Sequence, residues 1–188
     1  MPPNVLLEDT RNPESKHRNV HAWAQDNGVT IIRTKLLVGD YTLPTDQSRC
    51  VDTKYGLAEV YSNLVQEHER FRNELELAMQ AGVKLIVLVE EEDIEELAKV
   101  HMWWNPRRER WFRIHNAHKA GKLLKVQIPK APPISSERLQ RMMETMAEKY
   151  GCEWRFCGKD RTGAVIWELL NENSVYSRIN TGNLDGGK

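Results

Sequence analysis

An α/β fold, a central mixed β-sheet flanked by α-helices, is what the sequence predicts, and three observations carry that expectation. Short β-branched or apolar runs alternate with helix-periodic segments along the chain. One of those runs, Val83 to Glu90, is apolar almost without interruption, as expected of an interior strand covered on both faces by helices. Leu57 to Ala81 holds no Gly or Pro and spaces Leu57, Val60, Leu64, Phe71, Leu75 and Ala78 by three, four or seven residues, which predicts one long amphipathic helix stopped at Gly82.

The remaining elements follow in order. Val5 to Thr10 reads as a strand, and Pro13 with Ser15 sets up a helix that carries Val20, Trp23 and Ala24 toward Gly28. Val29 to Leu37 is β-branched and apolar, a second strand ending near Gly39-Asp40-Tyr41. Pro44 to Ser48 is turn chemistry, after which Arg49 to Lys54 forms a third strand paired with the segment before the turn, a β-meander. Glu90 to Val100 is acidic and is expected to be a short helix with a solvated face. After Pro129, Pro132 and Pro133, a helix capped by Ser135 or Ser136 runs to Tyr150 with Leu139, Met142, Met143 and Met146 as its core stripe. Gly151 to Cys157 then reads as the last strand, with Trp154 and Phe156 on one core face, and Thr162 to Leu170 as the last helix. Residues 1–171 are thus expected to form one domain, with 101–133 a basic and aromatic insertion or linker and 172–188 a flexible tail.

Composition limits the function classes. With 188 residues, 40% hydrophobic and 29% charged, the chain is long and apolar enough for a core and excludes disorder throughout. Its longest purely apolar run, Leu85 to Val89, falls far short of the ~20 residues of a membrane-spanning helix. Met1 to Asp9 lacks the basic and apolar regions of a secretion signal, so a cytoplasmic location, at a nucleoid or in a phage-infected host, is expected. Cys50, Cys152 and Cys157 make no Cys-x-x-Cys pair and read as free thiols. The zero net charge hides a division: residues 1–100 carry 11 basic against 18 acidic side chains and residues 101–188 carry 16 against 9. An acidic half beside a basic half fits a cation-binding centre next to a polyanion-binding surface.

The acidic half holds a constellation with chemical meaning. Asp9, Asp40 and Asp52 stand where short strands end or pair, and Lys54 follows Asp52 by two. In a strand, residues i and i+2 share a face, so Asp52 and Lys54 project to one side. If the turn brings Asp40 beside Asp52, two carboxylates converge next to an ammonium. Hard oxygen ligands of that kind suit Mg²⁺, which takes one or two carboxylates and completes its shell with water and phosphate oxygens. Phosphodiester hydrolysis is the chemistry such a centre serves, because a metal ion readies the nucleophile and clamps the charged oxygens. Lys54 would orient the attacking water or neutralise developing charge. On spacing alone, an exposed strand pair and a turn aspartate account for the same residues.

Asp9-Thr-Arg11, Leu37-Val-Gly-Asp-Tyr-Thr-Leu43, Val51-Asp-Thr-Lys54 and Glu69-Arg-Phe-Arg-Asn-Glu-Leu75, in that order, resemble the nuclease domain of XPF-type structure-specific endonucleases, nearest in their short phage and bacterial members. That family belongs to the PD-(D/E)XK, or restriction-endonuclease-like, superfamily, so the resemblance implies a restriction-endonuclease-like core. It implies Asp40 and Asp52 as metal ligands, Lys54 as the motif lysine, Asp9 as a further catalytic acid, and Arg11, Arg70 and Glu74 as accessory positions. Mg²⁺ is the implied cofactor, with Mn²⁺ able to substitute. Two departures stand out. Asp52-Thr53-Lys54 replaces the family's Glu-Arg-Lys, and Ala58 occupies the place of an aspartate, with Glu59 next to it as a substitute.

DNA is the expected partner. The segment from Trp103 to Lys125 mixes cations for phosphates with rings for bases, making Arg107, Arg108, Arg110, Trp111, Arg113, Lys119 and Lys122 the expected DNA contacts. The alternative is that Trp104, Trp111 and Phe112 pack onto the core and the arginines are merely solvated. No helix-hairpin-helix module is visible in this sequence, so substrate targeting is expected from that segment, a homodimer or a partner protein. His17 and His21, four apart on a helix, lack a third ligand. The function expected is a Mg²⁺-dependent, structure-selective DNA endonuclease. A non-catalytic DNA- or partner-binding module with a degenerate nuclease site, and a metal-dependent enzyme acting on nucleotides or RNA, are the alternatives.

Overall fold

The computed structural model of the chain describes residues 4–122 and 129–172; the expected tail, apart from Glu172, lies outside them. β1 (Val5–Asp9) leads through a 3-10 turn into α1 (Arg18–Asp26), which returns the chain to β2 (Thr30–Thr34), parallel to β1. β3 (Tyr41–Thr42) and β4 (Arg49–Lys54) follow as an antiparallel pair, then α2 (Leu57–Val65), α3 (His68–Gln80) and β5 (Lys84–Glu90). α4 (Pro106–Lys119), α5 (Ser136–Tyr150), β6 (Glu153–Cys157) and α6 (Thr162–Asn171) complete the described residues. The strands form one mixed sheet in the order β2-β1-β3-β4-β5-β6. This is the expected α/β architecture.

β5 shows why the sheet is buried on both faces. Leu85, Val87 and Val89 enter a core with α2, α3 and α5, whereas Ile86 and Leu88 enter a second core with α1 and α6. Met143 and Leu139 on α5 are completely buried, as the sequence stripe requires. Cys50, Cys152 and Cys157 are free thiols, and burial pushes each up to about 11.

Three expectations need correction. The β-meander is not formed, because α1 carries β2 to the far side of β1, and β3 inserts between β1 and β4, antiparallel to both. The long helix is two helices. The Ser62 carbonyl accepts from both Gln66 N–H (2.8 Å) and Glu67 N–H (2.9 Å), closing α2, and Glu67 O accepts from Phe71 N–H (3.2 Å), opening α3. A seven-residue step from Leu64 to Phe71 keeps both on the core side with or without a break, so periodicity is blind to it. The acidic run is solvated at Glu92, Asp93, Glu95 and Glu96 as expected, but it does not form a helix over its length. Ile94 is buried, Glu91 Oε2 accepts from Leu57 N–H at the start of α2 (3.0 Å), and Glu92 Oε1 accepts from Lys159 N–H (3.1 Å). Only Leu97–Met102 coils, as a 3-10 helix.

Within residues 101–133, the segment read as an insertion or linker, a regular helix, α4, stands. Its apolar pattern is too sparse to signal a helix, since only Trp111 and Ile114 are buried. The legible signal was the cap: Asn105 Oδ1 accepts from Arg107 N–H (3.1 Å) and Arg108 N–H (3.3 Å), with Pro106 in the first turn.

Candidate active site at one end of the sheet

β1 and β4 are each antiparallel to β3 and therefore run the same way, which brings the end of β1, the start of β3 and the end of β4 to one edge. Tyr41 pairs with Val51, so Asp40 comes level with Asp52, and Asp40 N–H donates to Val51 O (2.8 Å). Asp9 N–H donates to Asp40 O (2.9 Å), tying the third acidic residue to the same edge. This is the position where open α/β sheets bind ligands, beyond the carboxyl ends of parallel strands. A cleft of about 640 Å³ opens there, lined among others by Arg11, Asp40, Asp52, Lys54, Glu59, Arg70 and Glu74.

The local sequence explains why Asp40 points into it. Gly39 has φ +70°, and a Cβ there would stand 3.1 Å from Cys50 Cβ and 3.1 Å from Val51 O, so a side chain would strain both conformation and packing. Gly39 N–H donates to Glu74 Oε1 (3.1 Å), fastening the turn to α3. Asp40 Oδ2 accepts from Thr53 N–H (2.9 Å) and Thr53 Oγ1 (2.5 Å), and Oδ1 from Asn12 Nδ2 (2.5 Å). Lys16 Nζ lies 3.6 Å from Oδ2. Burial alone would raise the Asp40 pKa, but Lys16, Thr53 and Lys54 outweigh it and hold the carboxyl below its ordinary 3.8.

Asp52 and Lys54 share a face of β4, with Nζ 2.7 Å from Oδ2 and both side chains under a tenth exposed. Burial, aided by Asp40 and Glu74, pushes the Asp52 carboxyl up to about 7 against the pull of Lys54. Burial would depress the Lys54 ammonium, but Asp52, Asp40 and Glu74 hold it above its ordinary value. Desolvation thus raises Asp52 and opposes the rise of Lys54, which the surrounding carboxylates bring about.

Asp40, Asp52 and Glu74 gathered about one pocket are a setting that would favour a divalent cation. Among the described residues no three His, Cys, Asp or Glu side chains form a preassembled cage. Mg²⁺ needs no such cage, since one or two carboxylates suffice when water and phosphate oxygens supply the rest. An ionised carboxylate offers about four acceptor positions, and the three hydrogen bonds to Asp40 leave one open. The donor set of Asp40 and Asp52 fits the ion.

Asp9 is placed differently from the expectation of a catalytic acid. It is buried and held by Arg11, whose backbone N–H (2.7 Å) and Nε (2.8 Å) donate to its two oxygens, and by Leu36 N–H (3.3 Å). It does not line the cleft; Arg11, half-exposed, does. Arg70 is exposed at the rim and paired with Glu67 (2.8 Å). Glu59 Oε2 accepts from Tyr55 N–H (2.8 Å), so it anchors the segment after β4. His17 is buried with its ring edge-on to Tyr41, while His21 Nε2 meets Glu8 Oε2 at 2.5 Å, so the two histidines serve separate neighbours.

On α4, Arg110, Arg113, Lys119 and the following Lys122 are exposed. Arg107 packs on the Tyr61 ring (5.1 Å) and donates to Ser62 Oγ (2.9 Å), and Arg108 donates to Pro133 O (2.7 Å). Trp111 is buried, its Nε1–H donated to Pro129 O (2.8 Å) and its ring stacked on His115 at 4.4 Å, so it is packed inward instead of facing bases. Trp104 and Phe112 remain exposed.

Sequence reading missed Thr53, Asn12, Lys16 and Tyr55. Thr53 stood out only as the residue in place of the family's arginine; Asn12 and Lys16 carried no spacing signal because Asp40 is distant in the chain, and Tyr55 meets Lys16 and Lys159 only through the fold.

No family model matches this chain, and no curated protein matches it. Solved structures do. XPF from Aeropyrum pernix superposes with a TM-score of 0.57 at 17% identity, covering 96% of this chain and 70% of that one. XPF from Aeropyrum pernix in complex with DNA gives 0.54 at 15% identity, covering 98% and 68%. The likeness at such identities is one of fold, and the fold is XPF-like.

Proposed function

We propose that this protein is a metal-dependent endonuclease that hydrolyses DNA phosphodiester bonds and selects branched, flapped or single-strand-containing DNA. The observation that carries the reading is the meeting of Asp40, Asp52 and Lys54 in one cleft at the carboxyl edge of the sheet. An XPF-like fold supports it, and the solved complex of that XPF with DNA supports DNA as the partner. Asp40 and Asp52 would hold Mg²⁺, or Mn²⁺ in its place, and the bound ion would supply an activated water nucleophile and charge neutralisation on the phosphate. Thr53 and Asn12 keep the Asp40 carboxylate oriented, and Lys16 with Thr53 keeps it ionised. Lys54 sets positive charge beside the reacting phosphate. Arg11, aimed by Asp9, and Arg70 at the rim bind flanking phosphates, while Glu74 and Glu59 hold the two loops that carry Asp40 and Tyr55. Arg110, Arg113, Lys119 and Lys122 provide further backbone contacts, and a second copy or a partner protein assists targeting.

The test is digestion of flap, Holliday-junction, single-stranded and linear duplex DNA, and of RNA, in Mg²⁺ and in Mn²⁺. Cleavage of the branched or single-strand-containing DNA by the wild type, lost in Asp40→Ala/Asp52→Ala, is the expected result. Survival of every substrate in both ions at high protein concentration overturns it. A second reading, a non-catalytic DNA- or partner-binding module, is favoured by the closure of Lys54 on Asp52 at 2.7 Å. It requires DNA binding that ignores both the metal and the double substitution.

A further inference from the structure

Segments that follow three different strands bring an aromatic ring and two amines together at the mouth of the cleft. Tyr55 is the residue after β4, Lys16 lies in the 3-10 turn after β1, and Lys159 lies in the 3-10 turn after β6. Tyr55 is 47% exposed yet tethered. Its hydroxyl donates to the Lys16 carbonyl and its backbone N–H to Glu59 Oε2 (2.8 Å). Lys16 Nζ stands 5.6 Å and Lys159 Nζ 6.0 Å from the ring centroid. Lys16 also reaches inward, donating to Thr53 O (3.3 Å) and lying 3.6 Å from Asp40 Oδ2. The ring is therefore one amine away from the carboxylate pair. Lys159 is exposed, and among the described residues its ammonium has no carboxylate partner.

An exposed ring normally keeps its freedom, because fixing it costs entropy that solvent contact does not return. Here that cost is met before any ligand arrives, which is what preorganisation for binding means. A ring flanked by cations is the combination that binds single-stranded nucleic acid: the ring takes the face of a base and the amines take the phosphates on either side. In continuous duplex, each base has neighbours stacked on both faces and offers the ring nothing. An unpaired nucleotide offers an open π-face.

We propose that Tyr55 is the stacking platform for one unpaired nucleotide adjoining the reacting phosphate, the base displacing the loosely held Lys16 and Lys159 ammoniums from over the ring so that they meet its backbone. This rests on the nuclease reading above and gives it a physical basis for substrate choice: DNA unpaired at the cut site over continuous duplex.

The experiment measures binding of the full-length chain in EDTA, where no cleavage occurs, to a single-stranded oligonucleotide carrying 2-aminopurine and to continuous duplex. Tyr55→Ala is expected to lose about tenfold in affinity for the single strand, the scale of one base stacked on one ring, with duplex affinity unchanged. The 2-aminopurine quenching seen with the wild type is lost in that variant and kept in Tyr55→Phe, which retains the ring without the hydroxyl. Lys159→Ala lowers the salt dependence of single-strand binding by about one ion. Equal single-strand affinity of Tyr55→Ala and wild type overturns the proposal, as does an equal loss on both DNAs in a variant whose circular dichroism is native. If Tyr55→Phe is as weak as Tyr55→Ala, the stacking role is overturned. A wild type that binds single strands through Tyr55 but cuts nothing sustains the stacking role of Tyr55 and removes the nuclease reading; one that cuts branched DNA with Tyr55→Ala unaffected does the reverse.

Discussion

Lys54 Nζ lies 2.7 Å from Asp52 Oδ2, and the pair is withdrawn from water in a pocket where Asp40 and Glu74 add further negative charge. An ion pair of this kind gains little net stability, since desolvation offsets its Coulomb energy, but losing one partner strands the other.

Lys54→Ala is therefore expected to cost about 3–5 kcal/mol of folding stability at pH 8.5, the scale for an uncompensated buried charge. Asp52→Asn/Lys54→Met recovers most of it, because neither partner is then stranded. Urea unfolding measures both variants. A Lys54→Ala protein as stable as the wild type would mean that water reaches the pocket.

The raised Asp52 pKa gives pH dependence a sign. Held up to about 7 against an ordinary 3.8, this carboxyl binds its proton more tightly in the folded state. Its contribution to stability is complete below 3.8 and is lost as pH rises through about 7. On the proposed function, activity and metal binding would need the ionised form and run the other way. Cleavage is expected to rise through neutral pH, and the Mn²⁺-induced increase in melting temperature to be larger at about pH 8 than at about pH 5.5. An upshift independent of pH, or one retained in Asp52→Asn, would place the ion elsewhere.

Asp9→Asn separates positioning from catalysis. Burial raises the Asp9 pKa, but the hydrogen bonds and charge of Arg11 outweigh it and hold the carboxyl below 3.8. Its stabilisation is present above that value and is lost as pH falls through the folded pKa. The melting-temperature deficit of Asp9→Asn is expected to shrink as pH is lowered from about 6 to about 3, and substrate KM to rise more than kcat falls, because Arg11 loses its aim. A loss confined to kcat, with melting unchanged, would make Asp9 a direct participant instead.

Gly39→Ala tests how the turn carries Asp40. The left-handed conformation costs a non-glycine residue about 1–2 kcal/mol, and the new Cβ meets Cys50 and Val51 O at 3.1 Å. Cleavage is expected to drop more than stability, read by kcat beside thermal melting.

α4 divides into inward and outward residues. Trp111→Ala is expected to destabilise by about 3–5 kcal/mol. Arg110→Ala and Arg113→Ala leave stability within about 0.5 kcal/mol, and each lowers the slope of log affinity against log salt by about one. Salt titrations and unfolding curves on the same three proteins check the division.

Much of this protein was legible before its structure because the signals are local. The apolar run of β5, the Ser135 cap and Leu-Met stripe of α5, and the Asp52-x-Lys54 spacing each follow from the period of a strand or helix and the chemistry of a cap, which residues a few positions apart encode. The pairing of Asp40 with Asp52 needed only a hairpin. Long-range placement was not encoded that way. The partner strand of β2, the break at Gln66 and Glu67, the use of Asp9 to hold Arg11, and the arrival of Lys16 and Lys159 beside Tyr55 depend on segments far apart in the chain. Their positions come from the packing of two cores around one sheet, an energy shared by residues that no local period connects.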